Sequence, residues 1–269
     1  MNDILVANGD RRILNLQPSP AGNLVGIPAF GPTMPDSEVR AFDDWPAPLK
    51  IKDQDGAGAC NGHATATVLE FARYHSGQPY VPMSAWWVYG CLVKGWDRGS
   101  NIIDALNLIS DKGCAPESMV KYKDYSGRYS DDAKAAAMRY KLEIGAQLKT
   151  WEEVLTAVAL RQSVNLSIRV GMGFNNLNSD GCPGVGRGPG NHAVMCGGGI
   201  KKSRRSGWLV RMANSWGSGW GLDGFCWLGR AHIEAGTWFE AFTVSAVIED
   251  LADDDNPPPV SVAKDPERA

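Results

Sequence analysis

The sequence of 269 residues predicts an α+β protein with two unlike lobes, its helices in the first half and its strands in the second. Up to about residue 162, apolar residues recur at helical spacing between cap and stop signals. Beyond it they fall into short β-type runs separated by Gly-rich turns. Composition agrees: 43% hydrophobic and 21% charged residues are ordinary for a globular domain and exclude a disordered, collagenous or coiled-coil chain. A chain this long forms one large domain or two lobes folded as a unit, and it needs no disulfide scaffold to bury a core.

Residues 1–33 are rich in Gly, Pro and Asn without a sustained period, and read as an extended arm. A Gly/Ala loop from Asp55 to Ala59 precedes a helix over Cys60–His75, where Cys60, Ala64, Val68, Phe71 and Ala72 share a face. Ser76-Gly77-Gln78-Pro79 stops it. A second helix follows Ser84. A third starts after Ser100 as its expected cap and carries Ile102, Ile103, Leu106 and Ile109 to Gly113. Ser130-Asp131-Asp132 opens a short Ala-rich helix, and Thr150-Trp151-Glu152-Glu153 reads as the capping box of another. Strands are expected at 163–170, 192–200, 207–213, 225–228 and 242–248. Lys201-Lys202-Ser203-Arg204-Arg205 reads as a solvated hairpin loop. The resulting expectation is a helical lobe over about 60–145, a β lobe over about 146–248 and a polar tail from 249 to 269.

Charge narrows the partners. The net charge of −3 leaves no basic face for a nucleic-acid role. Seven of the acids, against two bases, lie in residues 249–269, so the body is nearly neutral. No apolar run approaches the ~18 residues of a membrane span, and the N-terminus lacks the basic and apolar regions of a secretory signal. Neither a nucleic-acid nor a membrane partner is expected, and a reducing, cytoplasmic setting suits six cysteines without a C-x-x-C pair.

Three segments carry chemistry. Gln54 precedes Cys60 by six residues across a small-residue loop that leads straight into a helix. A thiol there meets the positive end of the helix dipole and free backbone N–H groups, which favour the nucleophilic thiolate. The Gln amide can return beside the Cys60 N–H to form an oxyanion hole. Asn191-His192-Ala193-Val194 places a His at the head of a small apolar strand. Asn214-Ser215-Trp216-Gly217-Ser218-Gly219-Trp220-Gly221 offers an Asn that can orient the imidazole and an indole that can shield the bond from water.

These blocks, in this order, resemble those of the papain-like cysteine peptidases over roughly residues 42–248. His192 and Asn214 follow Cys60 by 132 and 154 residues, close to the family's separation of about 130–150. Cys114-Ala115-Pro116-Glu117-Ser118 followed by Tyr122 also resembles bacterial members. The resemblance implies a papain-like fold with the site in a cleft between a helical lobe and a β-barrel-like lobe. It implies Cys60 as nucleophile, His192 as general acid/base, Asn214 as its orienting partner and Gln54 as oxyanion donor. Trp216 would cover the His–Asn bond. Gly99, Ser100, Asn101 and Ile102 would line the substrate cleft opposite Asn191 and Ala193, and Asn101 and Ile102 point to a neutral second subsite. The implied partner is a peptide or protein substrate, with no cofactor and no metal.

Three departures stand beside the resemblance. Asn61 replaces the aromatic residue that usually follows the Cys. Ala57 replaces a Cys, so the family's disulfide there cannot form. The arm is far shorter than the usual inhibitory prosegment, so any latency must come from it or from a partner. Two other readings use the same residues: acyl transfer to an amine, and a papain-fold component of a larger bacterial or viral assembly, held through arm and tail, with latent or residual peptidase activity. A zinc site from Cys60, His63, His192 and Cys196 leaves Gln54 and the Asn-Ser-Trp-Gly block without a role. His75 and His232 are expected at the surface and Trp86, Trp87 and Trp151 in the core. The triplet Asn165-Leu166-Ser167, a glycosylation pattern, falls in an expected buried strand.

Overall fold

The computed structural model describes residues 2–5 and 11–247. The tail from 249 onward lies outside the described residues. No helix among them is long and apolar enough to cross a membrane.

The arm contains β1 (Asn2–Leu5) and β2 (Arg11–Leu14), paired antiparallel. A two-residue strand, β3 (Phe42–Asp43), leads to the helical lobe of α1 (Cys60–His75), α2 (Ala85–Val93), α3 (Ile102–Lys112) and α4 (Asp131–Ala137). Then follow β4 (Leu142–Leu148), α5 (Trp151–Ala159), β5 (Ser163–Ile168), β6 (Gly188–Pro189), β7 (His192–Ser203), β8 (Gly207–Ala213) and β9 (Phe225–Leu228). A short α6 (Arg230–Glu234), β10 (Gly236–Trp238) and β11 (Ala241–Ala246) close the described chain.

Helix α1 is the axis of the molecule. Fourteen of its sixteen residues are buried, so it runs through the interior instead of floating on it as an amphipathic surface helix. It packs against α2 and α3 on one side and β5, β7 and β11 on the other. Trp86, Trp87 and Trp151 are all core residues. The second helix uses Ser84 as its cap, as expected. The third is capped one residue later than expected: Asn101, not Ser100, accepts from the Asp104 amide, because the Ser100 hydroxyl is taken by Asn61. Thr150 and Glu153 form the expected capping box.

The main sheet runs β4-β11-β5-β7-β8-β9 with β3 on β7, and every pairing in it is antiparallel. It does not close into a barrel: β4 and β9 stand at opposite edges, which corrects the barrel-like lobe. The strand β4 was absent from the sequence reading, and β7 runs three residues further than expected, absorbing three of the five residues of the basic loop. Asn165 is fully buried in β5, so its glycosylation triplet is inaccessible. His75 is exposed as expected. His232 is not at the surface: it is half-buried, with Nε2 3.0 Å from the Pro183 carbonyl and Nδ1 accepting the Gly229 amide at 3.1 Å.

Candidate active site

The loop before α1 is a tight return. Asp55 and Gly56 both adopt left-handed backbone, with φ of 42° and 77°, and the Ala57 amide closes back on the Gln54 carbonyl at 2.9 Å. This sets Gln54 beside the start of α1. Its amide is fully buried. Oε1 accepts from the Ser215 hydroxyl (2.7 Å) and the Trp216 indole (3.2 Å), which fixes Nε2 as the donor, and one of its hydrogens goes to the Ala57 carbonyl at 2.6 Å.

Opposite, β7 begins at His192. The β7/β8 register pairs Met195 with Ala213, so Asn214, just past the end of β8, comes level with the head of β7. His192 Nε2 lies 2.8 Å from Asn214 Oδ1. Oδ1 only accepts, so this nitrogen carries the ring proton. Trp216 lies over the ring at 5.1 Å between centroids and is itself packed on Phe174 and Trp220. The Cys60 sulfur, at the first turn of α1, lies against the backbone of Ala193, Asn61 and Asn15. His192 Nδ1 is buried and has no hydrogen-bond partner among the described residues. Burial pushes the Cys60 thiol up to about 11 despite those backbone dipoles, and pushes His192 down to about 4 against the pull of Asn214. The helix-start effect on the thiol is present but outweighed. Both groups rest neutral.

The arm runs along this site and is bonded on both sides of it. Arg12 pairs with Asp53 at 2.6 Å, and the Ile13 carbonyl accepts from Gln54 Nε2 at 3.3 Å. Asn15 crosses the sulfur. The Leu16 amide then donates to the Asn191 carbonyl (3.2 Å) and the Gln17 amide to the Ser100 carbonyl (3.0 Å), so the arm is bonded to both walls. Gly99 has no alternative here, because a Cβ on it would stand 1.7 Å from the Asn15 carbonyl oxygen. Ser19 meets Glu240, a carboxylate only 3% exposed.

Ser100 and Asn191 thus touch the arm through their backbones, while the Asn191 side chain is spent on Val170. The Asn101 side chain caps α3 and Ile102 is buried in the helical core, so neither side chain opens a neutral subsite. Besides Asp53, the arm meets a buried acid, Glu240, which sequence reading missed because no motif surrounds it. Asn61, in place of the usual aromatic, ties α1 to the cleft wall through the Ser100 hydroxyl and the Asn101 carbonyl.

Two more supports were also missed. Lys52 reaches the buried Glu70 at 2.7 Å and the Met83 carbonyl at 2.9 Å. Asp97 accepts from the Gly58 amide at 2.9 Å and from the Tyr89 hydroxyl, which in turn accepts from the Gly99 amide at 3.1 Å. Their only sequence signal was nearness to Gln54, Cys60 and Gly99. All six cysteines are free, and no group of three or more His, Cys, Asp or Glu among the described residues is placed to hold a metal.

Comparison with known proteins fits this geometry. Residues 41–243 match the papain family of cysteine proteases. The chain belongs to that family. Among curated papain-family relatives, ananain of Ananas comosus is 29% identical over 204 residues, covering 72% of this chain. Human cathepsin O is 22% identical over 236 residues, covering 76%. The chain spans only 57% and 64% of the lengths of these two relatives. Xylellain, a cysteine protease from Xylella fastidiosa, superposes with a TM-score of 0.71 at 20% identity, covering 92% of this chain and 99% of its own. Digestive procathepsin L 3 of Tenebrio molitor superposes at 0.60 and 18%, covering 88% and 75%. The papain-like fold therefore extends over nearly the whole chain.

Proposed function

We propose that this protein is a cysteine peptidase held latent by its own N-terminal arm, with residues 1–33 as a short pro-like segment and 34–248 as the peptidase domain. The carrying observation is the position of the arm carbonyl: Ile13 accepts from Gln54 Nε2, so a backbone carbonyl oxygen already occupies the donor site beside Cys60. With the arm gone, a substrate carbonyl takes that place. His192 Nδ1 takes the Cys60 thiol proton, the thiolate attacks the carbonyl carbon, Gln54 and the Cys60 N–H stabilise the oxyanion, and the His192 imidazolium returns that proton to the leaving amine as the C–N bond breaks. Water activated by His192 then hydrolyses the thioester. Asn214 holds the ring tautomer that leaves Nδ1 facing the cleft. Because the arm is spent on its own cleft, latency is favoured over the reading in which it grips a partner in an assembly.

The test is covalent labelling by a peptidyl epoxide, read as adduct mass. Full-length protein labels slowly at neutral pH, and the rate climbs as pH approaches the raised thiol value of about 11. Leu14→Asp forces a charge into a buried arm position and should accelerate labelling at pH 7 by at least tenfold, all of it on Cys60. Cys60→Ser should abolish both labelling and peptide hydrolysis. Hydrolysis that survives Cys60→Ser would refute the assignment.

A further inference from the structure

Arg73, in the last turn of α1, is a buried charge without an opposite among the described residues. It is 7% exposed, and its Nε is enclosed with no hydrogen-bond partner. The guanidinium lies 4.7 Å from the centre of the Tyr140 ring, and no carboxylate among the described residues pairs with it. Glu70, one turn earlier, is spent on the Lys52 ammonium and the Met83 amide, each at 2.7 Å. Glu143 in β4 is exposed next to the buried Leu142, and so lies on the opposite face of that strand. Burial accordingly pulls Arg73 below the ordinary arginine range, with the Tyr140 ring opposing it. A ring covers one side of a guanidinium and leaves its edge of N–H donors unused. That edge is suited to an anion.

Sheet register brings an acidic segment of the same chain to this place. Asn165 donates to the Thr65 hydroxyl at 2.9 Å and Ser163 to the Val68 carbonyl at 3.2 Å, so β5 runs against α1. Strand β11 is antiparallel to β5 and therefore runs with α1, with Val244 opposite Ser163. Ala246 lies about 7 Å further along β11. Arg73 lies about 7.5 Å beyond Val68 along α1, so the two are level. The Val247 amide then donates to the Lys141 carbonyl at 3.1 Å, beside Tyr140, and there the described chain ends. Glu249 and Asp250 follow within about 7 and 11 Å of extended chain, ahead of Asp253, Asp254 and Asp255. We propose that Arg73 is the seat of this acidic segment. The carboxylate of Glu249 or Asp250 pairs with the guanidinium edge left open by Tyr140 and fastens the segment to the end of α1. The seat is about 20 Å along α1 from Cys60 and stands independently of the chemistry in the cleft.

The experiment is hydrogen exchange of the full chain at neutral pH, read by mass in the segment that closes α1, where the Ser76, Gly77 and Gln78 amides donate to the Ala72, Arg73 and Tyr74 carbonyls. Glu249→Gln with Asp250→Asn leaves Arg73 as an uncompensated buried cation and should speed exchange there by at least about fivefold. Asp253→Asn with Asp254→Asn and Asp255→Asn removes more charge further along and should leave it unchanged. In an Arg73→Met background the Glu249/Asp250 pair of substitutions should have no further effect. In an Arg73→Lys background, which keeps the cation, they should still accelerate exchange, and this guards against an Arg73→Met variant that merely folds poorly. No acceleration by the Glu249/Asp250 substitutions, equal acceleration by the three later ones, or acceleration that persists in Arg73→Met would each overturn the proposal. Protection that rises with added sulfate and ignores every tail substitution would make the occupant a free anion and overturn it as well. Cys60 labelling takes no part in this readout, so each of these failures leaves the peptidase reading standing.

Discussion

The two walls of the cleft are built by different physics. The wall that carries Cys60 is a helix start braced by buried charge and hydrogen bonds: Lys52 on Glu70, Asp97 on the Gly58 amide, Asn61 on the Asn101 carbonyl. The wall that carries His192 is braced by strand register and aromatic packing, with Asn214 set level with His192 by β7/β8 and the pair covered by Trp216, Phe174 and Trp220. A helix end leaves its first amides unpaired and so needs polar partners. A sheet pairs its own backbone and asks only for apolar cover. The two walls should accordingly fail to different insults.

Acid should give the largest effect, because each wall hides one neutral histidine. His63 sits with Nδ1 2.9 Å from the Ala59 carbonyl and Nε2 3.1 Å from the Asp53 carbonyl, an arrangement that invites a second proton. Burial, helped by the nearby Lys52 ammonium, wins over it and holds His63 down at about 4, as burial does for His192. The unfolded chain takes up protons near 6.5 that the folded chain refuses until about 4, so stability is full above pH 6.5 and is lost as pH falls toward 4. Shifts of this size amount to roughly 3 kcal/mol per histidine. Urea midpoints measured from pH 7.5 to 4.5 should fall steeply, and His63→Gln should remove about half of the slope. A flat profile would show that neither ring is desolvated as described.

Next is the charge brace of the Cys60 wall. Burial pulls the Lys52 ammonium down, but Glu70 and Glu117 together outweigh it and hold the group above its ordinary value. Lys52→Met leaves Glu70 as a buried carboxylate without its cation, which costs about 3–5 kcal/mol. Lys52→Met with Glu70→Leu removes both charges and should recover most of that loss. The double-mutant cycle by thermal denaturation decides it: additive losses would mean that the pair is not coupled.

On the opposite wall Trp216→Phe keeps an aromatic ring but loses the indole donor to Gln54 Oε1 and part of the contact with His192. The expected cost is about 1–2 kcal/mol of stability, with a larger proportional loss of kcat than of KM, because Gln54 and the His192–Asn214 bond are both loosened. A pure change in KM would place the indole in substrate binding instead.

What the sequence made legible follows the same division. Periodicity marks α1 with its stop at Ser76-Gly77, the capping box at Thr150 is purely local, and the motif blocks name Gln54, Cys60, His192 and Asn214. The strand β4 escaped because Leu142–Leu148 is buried at its two ends and only partly between, with Gly145 at its centre, and its partner β11 lies nearly a hundred residues away. The arm was legible as a segment, but its course was not, for the same reason. Arg11–Leu14 has no period of its own, and its course is set by Asp53, Gln54 and Trp216. Lys52–Glu70, Asp97–Tyr89 and Ser19–Glu240 are single residues joined across long stretches of chain, a kind of pairing that local pattern does not encode.

The smallest effect should come from the Asp97–Tyr89 relay, and it separates charge from hydrogen bonding at the Cys60 wall. Asp97→Asn keeps an oxygen that can accept from both the Gly58 amide and the Tyr89 hydroxyl, so stability should change by less than about 1 kcal/mol. It also removes a negative charge near Cys60, so the pH dependence of epoxide labelling should shift to lower pH. Tyr89→Phe strips the acceptor from the buried Gly99 amide and should cost about 1–2 kcal/mol. Because Gly99 faces the Asn15 carbonyl of the arm, that loss should raise the labelling rate of the full-length protein. A labelling profile unmoved in Asp97→Asn would confine Asp97 to shape alone. Faster labelling in Tyr89→Phe without loss of stability would mean that Tyr89 braces the arm and not the wall.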